Sequence, residues 1–245
     1  IAEIRTRTEP GARVFSLALR GAERELEVAQ ALPDRRFDVV DVSRERVDAA
    51  LGEVERRGLG NIDVRVDSPD QPALERGAYS IVTGQYSIHF LEDVERFWQA
   101  CHDALHPGGT ILAQEHIGPG RLRWTEAQVE AANHALDDLV PDAHKVHHRA
   151  VDTALTDELL RSEPLAAARS DELVTTCEQA GFEVVTNIGG GCALLHPVLV
   201  KQIDTYDPAN WEHNHVLSRL FAEEARLMDE GVLGHSFAMF IARRG

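Results

Sequence analysis

The side chains best able to do chemistry stand where short apolar runs end. Asp41 closes one such run about 20 residues beyond Gly21, the spacing at which an acidic side chain accepts both ribose hydroxyls of a nucleoside ligand. Asp67-Ser68, Gln85-Tyr86 and Glu115-His116 end three more, and His89 lies just beyond Gln85. Imidazoles exchange protons near neutral pH, which makes His116 and His89 candidates for proton transfer. A buried imidazole bonded to backbone accounts for His89 equally well. His144-x-x-His147-His148 and His213-x-His215 are groups of a residue that suits zinc, iron or nickel. No carboxylate spacing of a metal site accompanies them, so no metal is assigned. Gly189–Gly191 ahead of Cys192 fits either a close approach of a ligand to the backbone or a simple bulge.

These residues need elements to position them. Short β-branched runs alternate with amphipathic stretches through the first half, the pattern of βαβ units and a parallel sheet. The pattern predicts strands at Val14–Leu19, Phe37–Val42, Ile62–Val66, Tyr79–Thr83 and Thr110–Gln114. It predicts helices at Glu23–Leu32, Arg44–Arg57 and Val94–Leu105, with Ser43 and Asp93 as N-caps and Gly58 as a stop. In a doubly wound sheet the carboxyl ends of the strands form the site, which is where the chemistry-bearing residues fall. After Gln114 the rhythm breaks. A capping box at Thr125–Gln128 starts a helix to about Leu139, and Pro141–Pro164 reads as part of an inserted lid. Regularity returns with a helix near Asp171–Ala180, a strand Phe182–Asn187, a long helix Val216–Glu230 and a strand Ser236–Ala242.

A chain of 245 residues can bury a core without staples, and 43% hydrophobic with 27% charged residues excludes wholesale disorder. The 25 Lys and Arg against 41 Asp and Glu leave a net charge of −16, which argues against nucleic acid or anionic lipid as a partner. No apolar run approaches the roughly 20 residues of a membrane span, and a soluble, cytoplasmic protein is expected. Cys101, Cys177 and Cys192 are odd in number and widely spaced, so all three are expected as buried thiols in a reducing compartment.

Phe37-Asp-Val-Val-Asp41-Val-Ser-Arg-Glu-Arg-Val-Asp-Ala-Ala50, Tyr79-Ser-Ile-Val-Thr83 and Ala104-Leu-His-Pro-Gly-Gly-Thr-Ile-Leu112 together resemble class I S-adenosylmethionine-dependent methyltransferases, over roughly residues 13 to 115. Leu194-Leu-His-Pro197 and Gly231-Val-Leu are similar, more weakly, to bacterial small-molecule members. The resemblance implies an α/β, Rossmann-like doubly wound, mostly parallel sheet, with an antiparallel last strand and a helical cap insertion. The expected division is a cofactor-binding core over 1–116, a cap over 117–168, and a remainder over 169–245 completing the core.

It further implies that S-adenosylmethionine is bound by Asp41, Val42, Asp67, Ser68, Gln85 and the backbone near Ala18, Arg20 and Gly21. Methyl transfer needs an aligned nucleophile, and a base only where the accepting oxygen or nitrogen must lose a proton. His116 is the expected base with Glu115 as its partner, and His89 is the second choice. Tyr86, Trp124, His196 and Trp211 are expected to wall a small-molecule acceptor, and a homodimer fits the resemblance. The departure is at the first turn, where the family carries several glycines and this chain keeps Gly21 among Ala18, Arg20 and Ala22. Either Arg20 grips the cofactor carboxylate, or the fold serves other chemistry, a lyase or cyclisation with an anionic substrate. A catalytically silent partner protein is the third alternative.

Overall fold

The strands are β1 (Arg13–Leu17), β2 (Arg36–Asp41), β3 (Ile62–Val66), β4 (Tyr79–Gln85), β5 (Leu105–His116), β6 (Phe182–Gly189) and β7 (Phe237–Arg244). The helices are α1 (Ala2–Arg7), α2 (Glu23–Ala31), α3 (Arg44–Arg57), α4 (Val94–Ala104), α5 (Glu126–Asp138), α6 (Thr153–Ser162), α7 (Leu173–Gln179), α8 (Leu195–Leu199) and α9 (Trp211–Asp229). In this computed structural model, which describes residues 1–245, the strands form one sheet in the order β3-β2-β1-β4-β5-β7-β6. The ladders β1–β2, β1–β4, β2–β3 and β4–β5 are parallel.

Strand alternation builds two cores from one sheet. Phe15, Leu17, Val40, Val82 and Ile111 join Phe97, Trp98 and Cys101 of α4 and Leu173 and Cys177 of α7. Their neighbours in sequence, Val14, Val39 and Ile81, turn the other way onto Ala29 of α2 and Val47 and Ala50 of α3. Strands covered on both faces read as short apolar, β-branched runs, which is how the sequence located them. The caps follow expectation. Ser43 accepts from the Arg46 amide at 3.3 Å, Asp93 accepts from that of Arg96 at 3.0 Å, and Gly58 ends α3 at φ 65°. Leu105-His-Pro-Gly-Gly109 forms a register shift inside the β4–β5 ladder rather than a turn ahead of a short strand, so β5 starts five residues earlier than the sequence suggests.

Contacts divide the chain into two compact units, one of residues 1–115, 172–188 and 239–245 and the other of residues 116–171 and 189–238. The expectation that all of 169–245 completes the core is therefore corrected. Only α7, most of β6 and most of β7 do so, while 189–238 joins the inserted segment. The bonds responsible join residues far apart in sequence, beyond the reach of periodicity. Ile117 and Gly118 amides donate to the Ser236 carbonyl, and the Gln128 side chain donates to Ala193 O and Ser236 Oγ. Three short helices, α1, α6 and α8, also lack a sequence signal; α8 has five residues, too few to show a period.

The first core holds a polar pair. The Trp98 indole, fully buried, donates to Thr176 Oγ1 at 3.1 Å. Thr176→Val should cost about 1–3 kcal/mol, because the indole N–H is left buried without an acceptor. Urea unfolding of Thr176→Val, Trp98→Phe and the double variant checks this: the double variant should cost less than the sum, and additive costs would show that the bond does not matter.

Candidate active site

The carboxyl edge of the first unit collects the acids. Asp41, the last residue of β2, is 2% exposed. Its Oδ1 accepts from the Ser43 amide at 2.9 Å and from Arg46 Nη2 at 2.6 Å, and its Oδ2 accepts from Arg46 Nε at 2.6 Å. The two oxygens thus face a paired donor, the geometry a vicinal diol also presents. Val42 beside it exposes an apolar side chain. Asp67 sits one strand over and closes on its own loop: Oδ1 takes the Ser68 amide and Oδ2 the Ala73 amide, both at 2.8 Å, with Arg65 Nε 3.6 Å away. Ser68 is exposed and donates its amide to Asp67.

At the switch between β1 and β4, Ala18 is buried and Gly21 takes φ 101°, a conformation that side chains rarely adopt. Arg20 is exposed and lays its guanidinium over the Phe90 ring at 5.6 Å. Arg24 does the same over Tyr86 at 5.4 Å and donates to Gln85 Oε1. Tyr86 holds φ 53°, strained for a bulky residue, and its hydroxyl accepts from Gln114. Ser87 ties the two loops together, accepting the Leu19 amide on its Oγ.

Glu115 and His116 do not work as a pair. Successive strand residues point to opposite faces, and the two side chains part accordingly. The fully buried Glu115 accepts the amides of Ser87 and Ile88 at 3.0 Å, and His89 Nδ1 at 2.6 Å. It is a structural clamp on the loop after β4, and His89 is its partner. His116 belongs to the second unit, where its ring lies 5.7 Å from His196 and 5.0 Å from Phe237. Trp124 stands 6.0 Å from His196. Three of the expected residues therefore share one aromatic cluster, and Phe237 is an addition that nothing in the sequence singled out. Trp211, at 73% exposed on the start of α9, lies outside it.

The glycine run has a structural reason. A Cβ on Gly189 would meet the His235 ring at 2.1 Å, and Gly191, at φ 72°, donates its amide to His235 Nδ1. Glu224 is a second buried carboxylate missed in the sequence, accepting the amides of Cys192, Leu194 and Leu195 at 2.9 to 3.0 Å. Cys101 and Cys177 are buried as expected, whereas Cys192 is only partly so. His144 and His213 come together, 4.5 Å apart, with His144 stacked on Tyr206 at 4.1 Å. No group of three or more His, Cys, Asp or Glu forms a metal site.

A family described as methyltransferase domain matches residues 25–111, from within α2 to within β5. Strand order and motif agree. The chain has the class I methyltransferase fold. Nocamycin O-methyltransferase of Saccharothrix syringae is 26% identical over 110 residues, 44% of this chain and 39% of that protein, so the match spans well under half of the curated relative. Among solved structures, phosphoethanolamine N-methyltransferase 2 of Haemonchus contortus with S-adenosyl-L-methionine superposes at TM-score 0.63 and 14% identity, over 99% of this chain and 51% of that one. The [4+2]-cyclase SpnF superposes at TM-score 0.59 and 13% identity, over 99% of this chain and 79% of that one. At such identities the structures establish the methyltransferase fold alone. No helix is long and apolar enough to cross a membrane.

Two expectations test the site's polar groups. Glu115→Gln exchanges a charged acceptor for an amide that confronts backbone donors, and should cost roughly 3 kcal/mol or more in urea unfolding. Unchanged stability would return Glu115 to a catalytic role. Burial pushes the His144 and His148 imidazoles below their usual 6.5, His144 helped by His213 and His148 by His147. The unfolded chain then binds more protons, so this contribution is full above pH 6.5 and is lost as pH falls through the lower folded values. Urea midpoints at pH 8 and pH 5.5 should differ less in the His144→Gln/His148→Gln variant than in the parent protein.

Proposed function

We propose that the protein transfers a methyl group from S-adenosylmethionine to a nitrogen or oxygen of a small molecule. The observation that carries this is Asp41, a buried carboxylate at the end of β2 whose two oxygens already accept a paired donor. The donor chemistry fits a ribose diol. Val42 offers apolar surface beside it for the base, and Gly21 turns the chain at φ 101° with the Glu23 carboxylate 2.7 Å from where a Cβ would stand. Asp67, Ser68 and Gln85 complete the nucleoside edge, and Arg20 is placed to take the cofactor carboxylate with its guanidinium fork. When bound, the cofactor supplies an electrophilic methyl group on a sulfonium sulfur.

The chain's part is to hold the acceptor in line and to remove its proton. His116 is the base, which would take the acceptor's proton on an imidazole nitrogen. Gly118 leaves room at His116 Nε2, where a Cβ would stand 3.0 Å away. Trp124 and His196, in the same cluster, present ring faces and edges to the acceptor. Proximity supplies most of the rate, so these rings matter for position. Nocamycin O-methyltransferase and the small-molecule enzymes of this fold favour an acceptor of that size, and free thiols suit a reducing, cytoplasmic setting. Association as a homodimer belongs to the same proposal.

One observation favours a second reading. Arg20 stands where the family keeps glycine, Arg24 of α2 lies over Tyr86, and the cyclase SpnF shares the fold. In that reading the arginines hold an anionic substrate for a lyase or cyclisation reaction.

Calorimetry decides between the two. Binding of S-adenosylmethionine is expected near micromolar, about −8 kcal/mol. Asp41→Ala should weaken it about ten- to a hundredfold, the loss of roughly 1.5–3 kcal/mol of charge-assisted bonding, with the fold intact. No heat and no thermal shift at millimolar cofactor would transfer the assignment to the second reading.

A further inference from the structure

The nucleoside acceptor is already in use. Arg46, in the first turn of α3, reaches back to Asp41 with both Nε and Nη2 at 2.6 Å, one on each carboxylate oxygen. The Ser43 amide takes a further position on Oδ1. A ribose diol needs the same two oxygens in the same paired arrangement. The diol and the guanidinium cannot both have them. The carboxylate is buried at 2% exposure, which rules out a second pair of donors arriving from another side, whereas the Arg46 side chain is 40% exposed and free to swing into water. The movable member of the pair is therefore the arginine.

We propose that Arg46 is an internal competitor for the ribose site, setting the affinity of nucleoside binding by the exchange of its guanidinium for the diol on Asp41. The proposal rests on the nucleoside reading of Asp41 above and goes beyond it in assigning the regulation of that site to this chain's own arginine. A site open for only a fraction of the time binds with its intrinsic affinity multiplied by that fraction. For a half-exposed pair, screened by water, a closed fraction near nine-tenths corresponds to about tenfold weaker binding. Ligands with one hydroxyl or none cannot replace both contacts of the fork, so they gain less than a diol from displacing Arg46. Salt weakens the fork more than it weakens a bond from a neutral hydroxyl, so added salt favours the exchange.

The test uses the full chain and calorimetry with S-adenosylhomocysteine, adenosine and 2′,3′-dideoxyadenosine. Arg46→Met should bind S-adenosylhomocysteine and adenosine about tenfold more tightly than the parent protein while melting at a lower temperature. A purely structural arginine would lower both together. Arg46→Lys, which keeps the charge without the fork and the stem without disruption, should fall between the two and stands in if Arg46→Met does not fold. In an Asp41→Asn background the Arg46 substitution should leave affinity unchanged. Raising salt from 0.05 to 0.5 M, on the order of a threefold drop in screening length, should tighten adenosine binding to the parent protein and not to Arg46→Met. Equal or weaker adenosine binding by Arg46→Met and Arg46→Lys, with the parent protein still binding S-adenosylhomocysteine, overturns the competitor and leaves the cofactor reading standing. Binding of 2′,3′-dideoxyadenosine as tight as adenosine overturns the diol exchange. No binding of any of the three by any variant overturns the cofactor reading and this proposal with it.

Discussion

The buried carboxylate of Glu115 is the interaction on which the candidate site depends. A carboxylate with no exposure is tolerated only when its lone pairs are filled, and here backbone amides of the loop after β4 and the His89 imidazole fill them. The bonds cross 26 to 28 residues of chain, from the end of β5 to the exit of β4. Once that loop is fixed, Ser87 can receive the Leu19 amide, and the turn after β1 is held in turn. Tyr86 keeps its left-handed backbone because Ser87 is clamped on one side and Gln114 bonds both its amide and its hydroxyl. The geometry of Arg20, Arg24 and Gln85 follows from those two loops.

The second unit repeats the device. Glu224, on the buried face of α9, gathers amides of the segment that leads into α8, some 29 to 32 residues earlier. Gly191 is required there because a Cβ would stand 2.7 Å from the Glu224 carboxylate. In each unit one buried acid organises a loop that carries candidate ligand-facing side chains. Glu115, at a strand end, looks like a catalyst in the sequence, whereas Glu224 within α9 carries no such signal. Their occupied lone pairs make both scaffolding.

The edge of the first unit shows a different use of charge. The protein carries a net −16, yet the carboxyl edge of its sheet is stitched by arginines: Arg46 on Asp41, Arg65 beside Asp67, Arg24 on Gln85. The first two pairs satisfy acids that would otherwise repel one another across neighbouring strand ends, separated by little more than the strand spacing of about 4.8 Å. The cost is that a ligand meets groups already engaged. In the proposed nucleoside reading, affinity at this edge is an exchange of partners rather than the filling of an empty set.

The sequence by itself determined the sheet strands, the helices α2, α3, α4, α5 and α9, and the caps of α3, α4 and α5, because apolar period and capping chemistry are local. It determined that acids and histidines fall at strand ends, and so the place of Asp41, Asp67 and Gln85 along one edge. Class I methyltransferase motifs were legible for the same reason, being runs of adjacent residues. Tertiary structure alone decided which of those side chains are available. That Glu115 turns from His116 to His89 depends on which strand lies next to β5, and that Arg46 reaches Asp41 depends on the angle at which α3 leaves β2. The division of the C-terminal part between two units, and the meeting of His116, His196, Trp124 and Phe237, rest on contacts between segments up to 121 residues apart. Periodicity carries no information over such distances. Pairing across the chain is fixed only when burial forces each polar group to find the partner within its reach.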